Sequence, residues 1–95
     1  MFKNINLFVN ILYVISKTIH QPIYDELIKA LIKARKEAKL TQQQVADLLG
    51  KPQSYVAKIE NKERKLDVIE LIHFSDILKI KANTLIATIE WKKVR

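Results

Sequence analysis

The chain has 95 residues, with 17 Lys and Arg against 10 Asp and Glu for a formal net charge of +7, and it contains no cysteine. A second independent core would need roughly another hundred residues, so the length allows one domain. The lack of cysteine excludes disulfides, thiolate metal sites and thiol nucleophiles together, and it fits a reducing, cytoplasmic setting. With 48% hydrophobic residues, one Gly and two Pro, the composition is that of an ordered, helical domain rather than a disordered tail.

Residues 1–16, MFKNINLFVNILYVIS, carry a single charge at Lys3 and differ in composition from the rest of the chain. The apolar stretch 7–15 is interrupted by Asn10 and falls short of the ~20 residues a membrane-spanning helix needs. Ser16-Lys17-Thr18 is a poor signal-peptide cleavage site. The expectation is a strand or short helix that packs on the domain or on a second subunit. Residues 1–19 are accordingly set apart as an N-terminal apolar extension, either a dimerisation element or an artefact of start-site choice.

From Pro22 the pattern becomes helical. Pro22 suits a first helical position, Asp25 and Glu26 complement the positive end of the helix dipole, and Tyr24, Leu27, Ile28, Leu31 and Ile32 form an apolar stripe. A first helix over 22–38 is predicted. Thr41, with Gln44 three residues later, reads as a capping box that opens a short second helix, whose apolar side is Val45, Ala46, Leu48 and Leu49. A third short helix over 53–61 turns Val56 and Ile59 inward and leaves Ser54, Tyr55, Lys58 and Lys62 outside. Asp67 and Glu70 repeat the capping pattern and open a fourth helix to residue 78, where Val68, Ile69, Leu71, Ile72, Phe74, Ile77 and Leu78 leave little polar face. A fifth helix over 82–91 carries Leu85, Ile86, Ile89 and Trp91, and residues 92–95 form a basic tail.

Between the second and third helices stand the only glycine, Gly50, and one of the two prolines, Pro52. Glycine ends a helix in the left-handed conformation without steric penalty, and proline biases the preceding Lys51 away from helix so that the chain restarts in a new direction. Apolar or small residues at Val45, Ala46, Leu49, Val56 and Ile59 then let the two helices pack, Ala46 closest to the crossing. The breakers make the hinge of a helix-turn-helix.

Charge concentrates at the same place: residues 51–65 hold five basic and two acidic groups. That points to a polyanion-binding face. Catalysis has little support. One glycine excludes a phosphate-binding or dinucleotide loop, no Ser, His and acid constellation stands out, and His20 and His73 have no partner at metal-ligand spacing. No enzyme activity, cofactor or metal is expected.

The run LTQQQVADLLGKPQSYVAKIENKERKLDVIELIHFSDILKIKANTLI, residues 40–86, resembles the Cro and phage-repressor (Xre-like) type of helix-turn-helix DNA-binding domain. With the first helix the likeness covers about residues 20–90. It rests on Arg35, Thr41-Gln42, Ala46, Gly50 and Ile59-Glu60-Asn61 in order and at the right spacing. The resemblance implies an all-α, five-helix domain over residues 20–91 that binds double-stranded DNA as a homodimer. It implies that Gln53, Ser54 and Lys58 contact bases in the major groove, chemistry for which Gln suits adenine and Lys suits guanine. Gln42 matches a phosphate-clamping position beside which Gln43 is a weaker candidate. Asn61, Lys62, Arg64 and Lys65 would reach further phosphates, and Tyr55 would stack on or donate to the backbone. Arg35 and Glu60 match an internal ion pair with a structural role.

Three positions depart from the family pattern. Lys62 stands where a glycine usually follows the asparagine, Lys51 replaces an apolar residue after the turn glycine, and Pro52 replaces a Ser or Thr cap, leaving the third helix without a side-chain cap. The function expected is a sequence-specific transcriptional regulator, a repressor on a palindromic operator in the simplest case. The alternative is a protein-interaction module or antitoxin whose main partner is another protein, such as a toxin or co-regulator.

Overall fold

The computed structural model describes residues 22–89. Five helices follow one another: α1 (Pro22–Glu37), α2 (Gln42–Leu49), α3 (Gln53–Glu60), α4 (Val68–Ile77) and α5 (Ala82–Ala87), with no strand among the described residues. The expectations for residues 1–19, His20, Trp91 and the tail 92–95 lie outside the described residues.

Both expected capping boxes are present. Thr41 Oγ1 accepts from the Gln44 amide at 3.0 Å while Gln44 Oε1 accepts from the Thr41 amide at 2.9 Å. At the head of α4, Asp67 Oδ1 accepts from the Glu70 amide at 2.8 Å and Glu70 Oε1 from the Asp67 amide at 3.0 Å. Each box satisfies two donors that a helix start otherwise leaves open. Helix α3 has Pro52 at its N-cap position and no side-chain cap, as the sequence predicts.

The exits of α1 to α4 share one device. Gly50 has φ 70°, and Lys39, Lys62 and Lys79 follow α1, α3 and α4 with φ of 60°, 61° and 58°. After α1, Lys39 N–H donates to the Lys36 carbonyl and Leu40 N–H to the Arg35 carbonyl; after α4, Lys79 and Ile80 donate to Asp76 and Ser75 in the same way. A left-handed residue closes each helix, and three lysines hold a conformation that side chains with a Cβ disfavour.

The core gathers Ile23, Tyr24, Leu27, Ile28 and Leu31 of α1, Val45 and Ala46 of α2, Val56 and Ile59 of α3, Leu71 and Phe74 of α4, and Leu85 and Ile86 of α5, with Leu66, Leu78 and Ile89 from between and beyond the helices. Each large side chain removed from water contributes about 1.5–3 kcal/mol. Helix α2 packs on α3 and α4, α1 on α3 and α5, and α4 on α5. Tyr24 is fully buried, and its hydroxyl oxygen accepts from the Leu66 amide at 2.9 Å. That bond ties the loop after α3 to α1, and burial raises the Tyr24 pKa above its ordinary value.

Several expectations need correction. Leu48 is 59% exposed; at 100° per residue it lies about 100° from the centre of the face made by Val45, Ala46 and Leu49. On α4 the buried face is Leu71, Phe74 and Ser75, so Ile69, about 160° round from Leu71, and Ile72, about 100° round, are exposed. The fifth helix ends at Ala87 rather than at residue 91. Thr88 stops it: the Thr88 amide and hydroxyl both turn back to the Leu85 carbonyl. Ile89 is nevertheless buried beyond the helix end. Helix α1 stops one residue before the expected Ala38, and α3 one before Asn61.

Candidate nucleic-acid interface

Gly50 sets the interface. Its left-handed turn lets its own amide donate to the Asp47 carbonyl and the Lys51 amide to the Ala46 carbonyl, closing α2. Helix α3 restarts at Gln53 in a new direction across Val45, Ala46, Val56 and Ile59, all buried. The first residues of α2 and α3 are thereby brought side by side.

Arg35 and Glu60 meet as the resemblance implies. Arg35 Nε donates to Glu60 Oε2 at 2.7 Å and Nη2 to Oε1 at 3.0 Å, while Nη1 donates to the Leu40 carbonyl at 2.9 Å. The side chains are 12% and 5% exposed. A bidentate geometry of this kind offsets the cost of removing two charges from water. Gln42 extends the pair outward: its Nε2 donates to Glu60 Oε1 at 2.8 Å, and its Oε1 accepts from Gln53 Nε2 at 2.8 Å. One chain of hydrogen bonds therefore runs from α1 through the last residue of α3 and the first of α2 to the head of α3.

Gln53, Ser54 and Lys58 are all exposed on α3, and Lys58 has no ion pair among the described residues. The single bond to Gln42 leaves Gln53 with a second amide proton and a carbonyl oxygen, the donor and acceptor that adenine N7 and N6 require. Gln43 is exposed but bonded along its own helix, Nε2 to Asp47 Oδ1 at 2.8 Å. Asn61 is exposed at the end of α3.

The loop after α3 carries the remaining cations. Lys65 is exposed with no ion pair among the described residues. Lys62 Nζ lies 2.8 Å from Asp25 Oδ1 of α1, and Arg64 Nη1 lies 2.8 Å from Glu70 Oε2 of α4.

Tyr55 is not the freely exposed residue expected. It is half-buried, its ring stacks on Phe74 at a centroid distance of 6.3 Å, and its hydroxyl donates to Glu70 Oε2 at 2.7 Å. Lys51 and Arg64 lie over the ring, 5.4 and 4.8 Å from its centre. The physical reason is that the fold places Phe74 and the first-turn Glu70 of α4 beside Tyr55, which brings an acceptor within reach of the phenol. Burial and then the Glu70 carboxylate push the Tyr55 pKa up to about 12. Burial alone would raise the Glu70 carboxyl, but hydrogen bonds from Arg64, the Asp67 amide and Tyr55 together outweigh it and hold the pKa below the ordinary carboxylate range. The same bond to Glu70 raises the Arg64 pKa.

Three residues outside the expected set thus belong to this surface: Asp25, Lys51 and Glu70. Glu70 is visible in the sequence only as a capping partner and Asp25 only as a first-turn acid. Among the described residues no group of His, Cys, Asp or Glu is arranged to hold a metal ion, and no helix is long and apolar enough to cross a membrane.

A helix-turn-helix family model matches residues 31–85. A solved XRE-family like protein from Pseudomonas syringae pv. tomato str. DC3000 superposes with a TM-score of 0.72 at 42% sequence identity, the match covering 81% of this chain and 94% of that one. No curated protein sequence matches significantly. With the five helices, the left-handed Gly50 turn and the Arg35–Glu60 pair in place, the chain belongs to the XRE, or Cro/C1-type, helix-turn-helix family, which points to a DNA-binding transcriptional regulator.

Proposed function

We propose that this chain is a cytoplasmic, non-enzymatic repressor that binds a palindromic operator as a homodimer through the domain at residues 20–91. Helix α3 enters the major groove with Gln53, Ser54 and Lys58 toward the base edges. Gln42 and Asn61 grip phosphates on either side, supported by Lys62, Arg64 and Lys65 from the loop and by Gln43 from α2. Tyr55 acts through its neighbours, as the platform that positions Lys51 and Arg64. Two copies related by a two-fold axis would set half-sites about one helical turn, ~34 Å, apart. Residues 1–19 are the candidate dimerisation element.

The observation that carries this reading is the hydrogen-bonded chain Arg35–Glu60–Gln42–Gln53. It anchors an exposed amide to a buried ion pair, an arrangement that fixes the amide for base recognition. The test is selection of bound fragments from the host genome at near-physiological salt, followed by footprinting. A protected palindrome with one-turn spacing is the expected result; weak, sequence-blind binding that vanishes with salt would overturn it. The second reading, a module or antitoxin whose main partner is a protein, is favoured by the exposed Leu48, Ile69 and Ile72.

A further inference from the structure

The loop between α3 and α4 divides its cations into two sets. Lys65, like Lys58 on α3, has no ion pair among the described residues. Lys62 and Arg64 are each held by a carboxylate from outside the helix-turn-helix: Asp25 in the first turn of α1 and Glu70 in the first turn of α4. The pairs remain solvent-accessible, at 41% and 38% for Lys62 and Asp25 and at 43% and 15% for Arg64 and Glu70. Arg64 is further held against the Tyr55 ring, whose hydroxyl shares the same carboxylate.

Resting on the DNA-binding reading above, we propose that Asp25 and Glu70 are specificity-determining residues, which keep Lys62 and Arg64 from strengthening sequence-blind binding. Affinity for arbitrary duplex DNA comes from cations that displace counterions from phosphates. A cation already paired with a carboxylate contributes little until the pair opens, and the abandoned carboxylate then faces the polyphosphate. At a cognate site, base contacts by α3 fix the register and hold phosphates where they compete for Lys62 and Arg64. On other sequences no such fixed register offsets the opening. The two acids therefore weaken wrong-site binding more than right-site binding.

The experiment is a salt titration of the full chain against a labelled duplex of random sequence, comparing wild type with Asp25→Asn, Glu70→Gln and, as a same-charge control, Asp76→Asn. Asp76 is exposed on α4 six residues beyond Glu70 and makes no ion pair among the described residues. Gln at position 70 keeps an oxygen to accept from the Asp67 amide, and the NH2 that replaces Oε2 can donate to the Tyr55 hydroxyl oxygen instead. Asp25→Asn disturbs no fully buried group, so it carries the test if Glu70→Gln loses stability. Asp25→Asn and Glu70→Gln should each tighten binding about 3- to 10-fold at low salt and steepen the slope of log affinity against log salt by up to ~0.9. Asp76→Asn should move both far less. Equal shifts in all three variants, or none in Asp25→Asn, would overturn the proposal. Failure of every version to bind duplex at low salt, wild type included, would overturn the DNA-binding reading itself and this inference with it.

Discussion

Gln53 donates an amide proton to Gln42 Oε1 across the turn, at 2.8 Å, and Gln42 in turn donates to Glu60. The side chain at the head of α3 is therefore held by bonds within the fold itself. Less conformational freedom is left to lose on binding than for a solvated glutamine.

Gln53→Ala or Lys58→Ala should cost about 1–3 kcal/mol at the operator and relax base preference at one position, with the fold intact because both residues are exposed. Lys65→Ala should weaken cognate and scrambled duplexes about equally and lower the salt slope by about one. Competitive titration against point-substituted operators separates the two classes. An unchanged base preference in Lys58→Ala would mean that α3 does not lie in the groove as proposed.

Glu60→Ala strips a nearly buried guanidinium of its carboxylate and removes the acceptor that orients Gln42. The expected loss of stability is about 3–5 kcal/mol in urea denaturation, enough to abolish DNA binding through unfolding. Gln42→Ala, which leaves the ion pair intact, should cost far less stability.

Lys79→Gly should stabilise the domain, by about 0.5–1 kcal/mol, since φ 58° suits glycine and Lys79 makes no ion pair among the described residues. A gain of that size raises the Tm by roughly 2–8 °C in a domain this small. Gly50→Ala should do the reverse by about 1–2 kcal/mol. Nothing lies within 4 Å of the added Cβ, so the cost comes from the backbone alone.

Acid and alkali should each find a different member of the Tyr55–Glu70 pair. Because the folded Glu70 pKa is depressed, its contribution is present above the ordinary glutamate pKa of about 4.3 and is lost as pH falls through the lower folded value. The stability difference between wild type and Glu70→Gln should shrink from pH ~6 to pH ~3. Tyr55 shifts the opposite way, to about 12. Its contribution is full below the ordinary tyrosine pKa of about 10 and disappears as pH rises through 12. Absorbance at alkaline pH should show delayed ionisation of both Tyr24 and Tyr55 in wild type and of Tyr24 without Tyr55 in Tyr55→Phe.

The order of the helices, both capping boxes and the glycine hinge were legible in the sequence because each rests on interactions within one turn of chain. Thr41 needs only Gln44, Asp67 only Glu70, and Gly50 only a backbone that turns left. Family resemblance supplied the Arg35–Glu60 pair, a contact that local spacing does not reveal. Which apolar residues stay exposed was not legible: Leu48, Ile69 and Ile72 satisfy any hydrophobicity count, but among the described residues they lie off the buried faces of α2 and α4.

The sequence by itself determined, to within a residue, where α1 to α4 start and stop and where α5 starts, because caps and left-handed exits are decided by neighbours three to five residues apart. Only the tertiary structure decided how the polar side chains are partnered: Lys62 with Asp25, 37 residues away, Gln53 with Gln42, and Tyr55 with Glu70. Those pairings depend on the angle between α2 and α3 and on the angles at which α1 and α4 approach them. Such angles are set by the packing of the whole core, and a charge or an amide has many equally acceptable partners until packing brings one of them within about 3 Å.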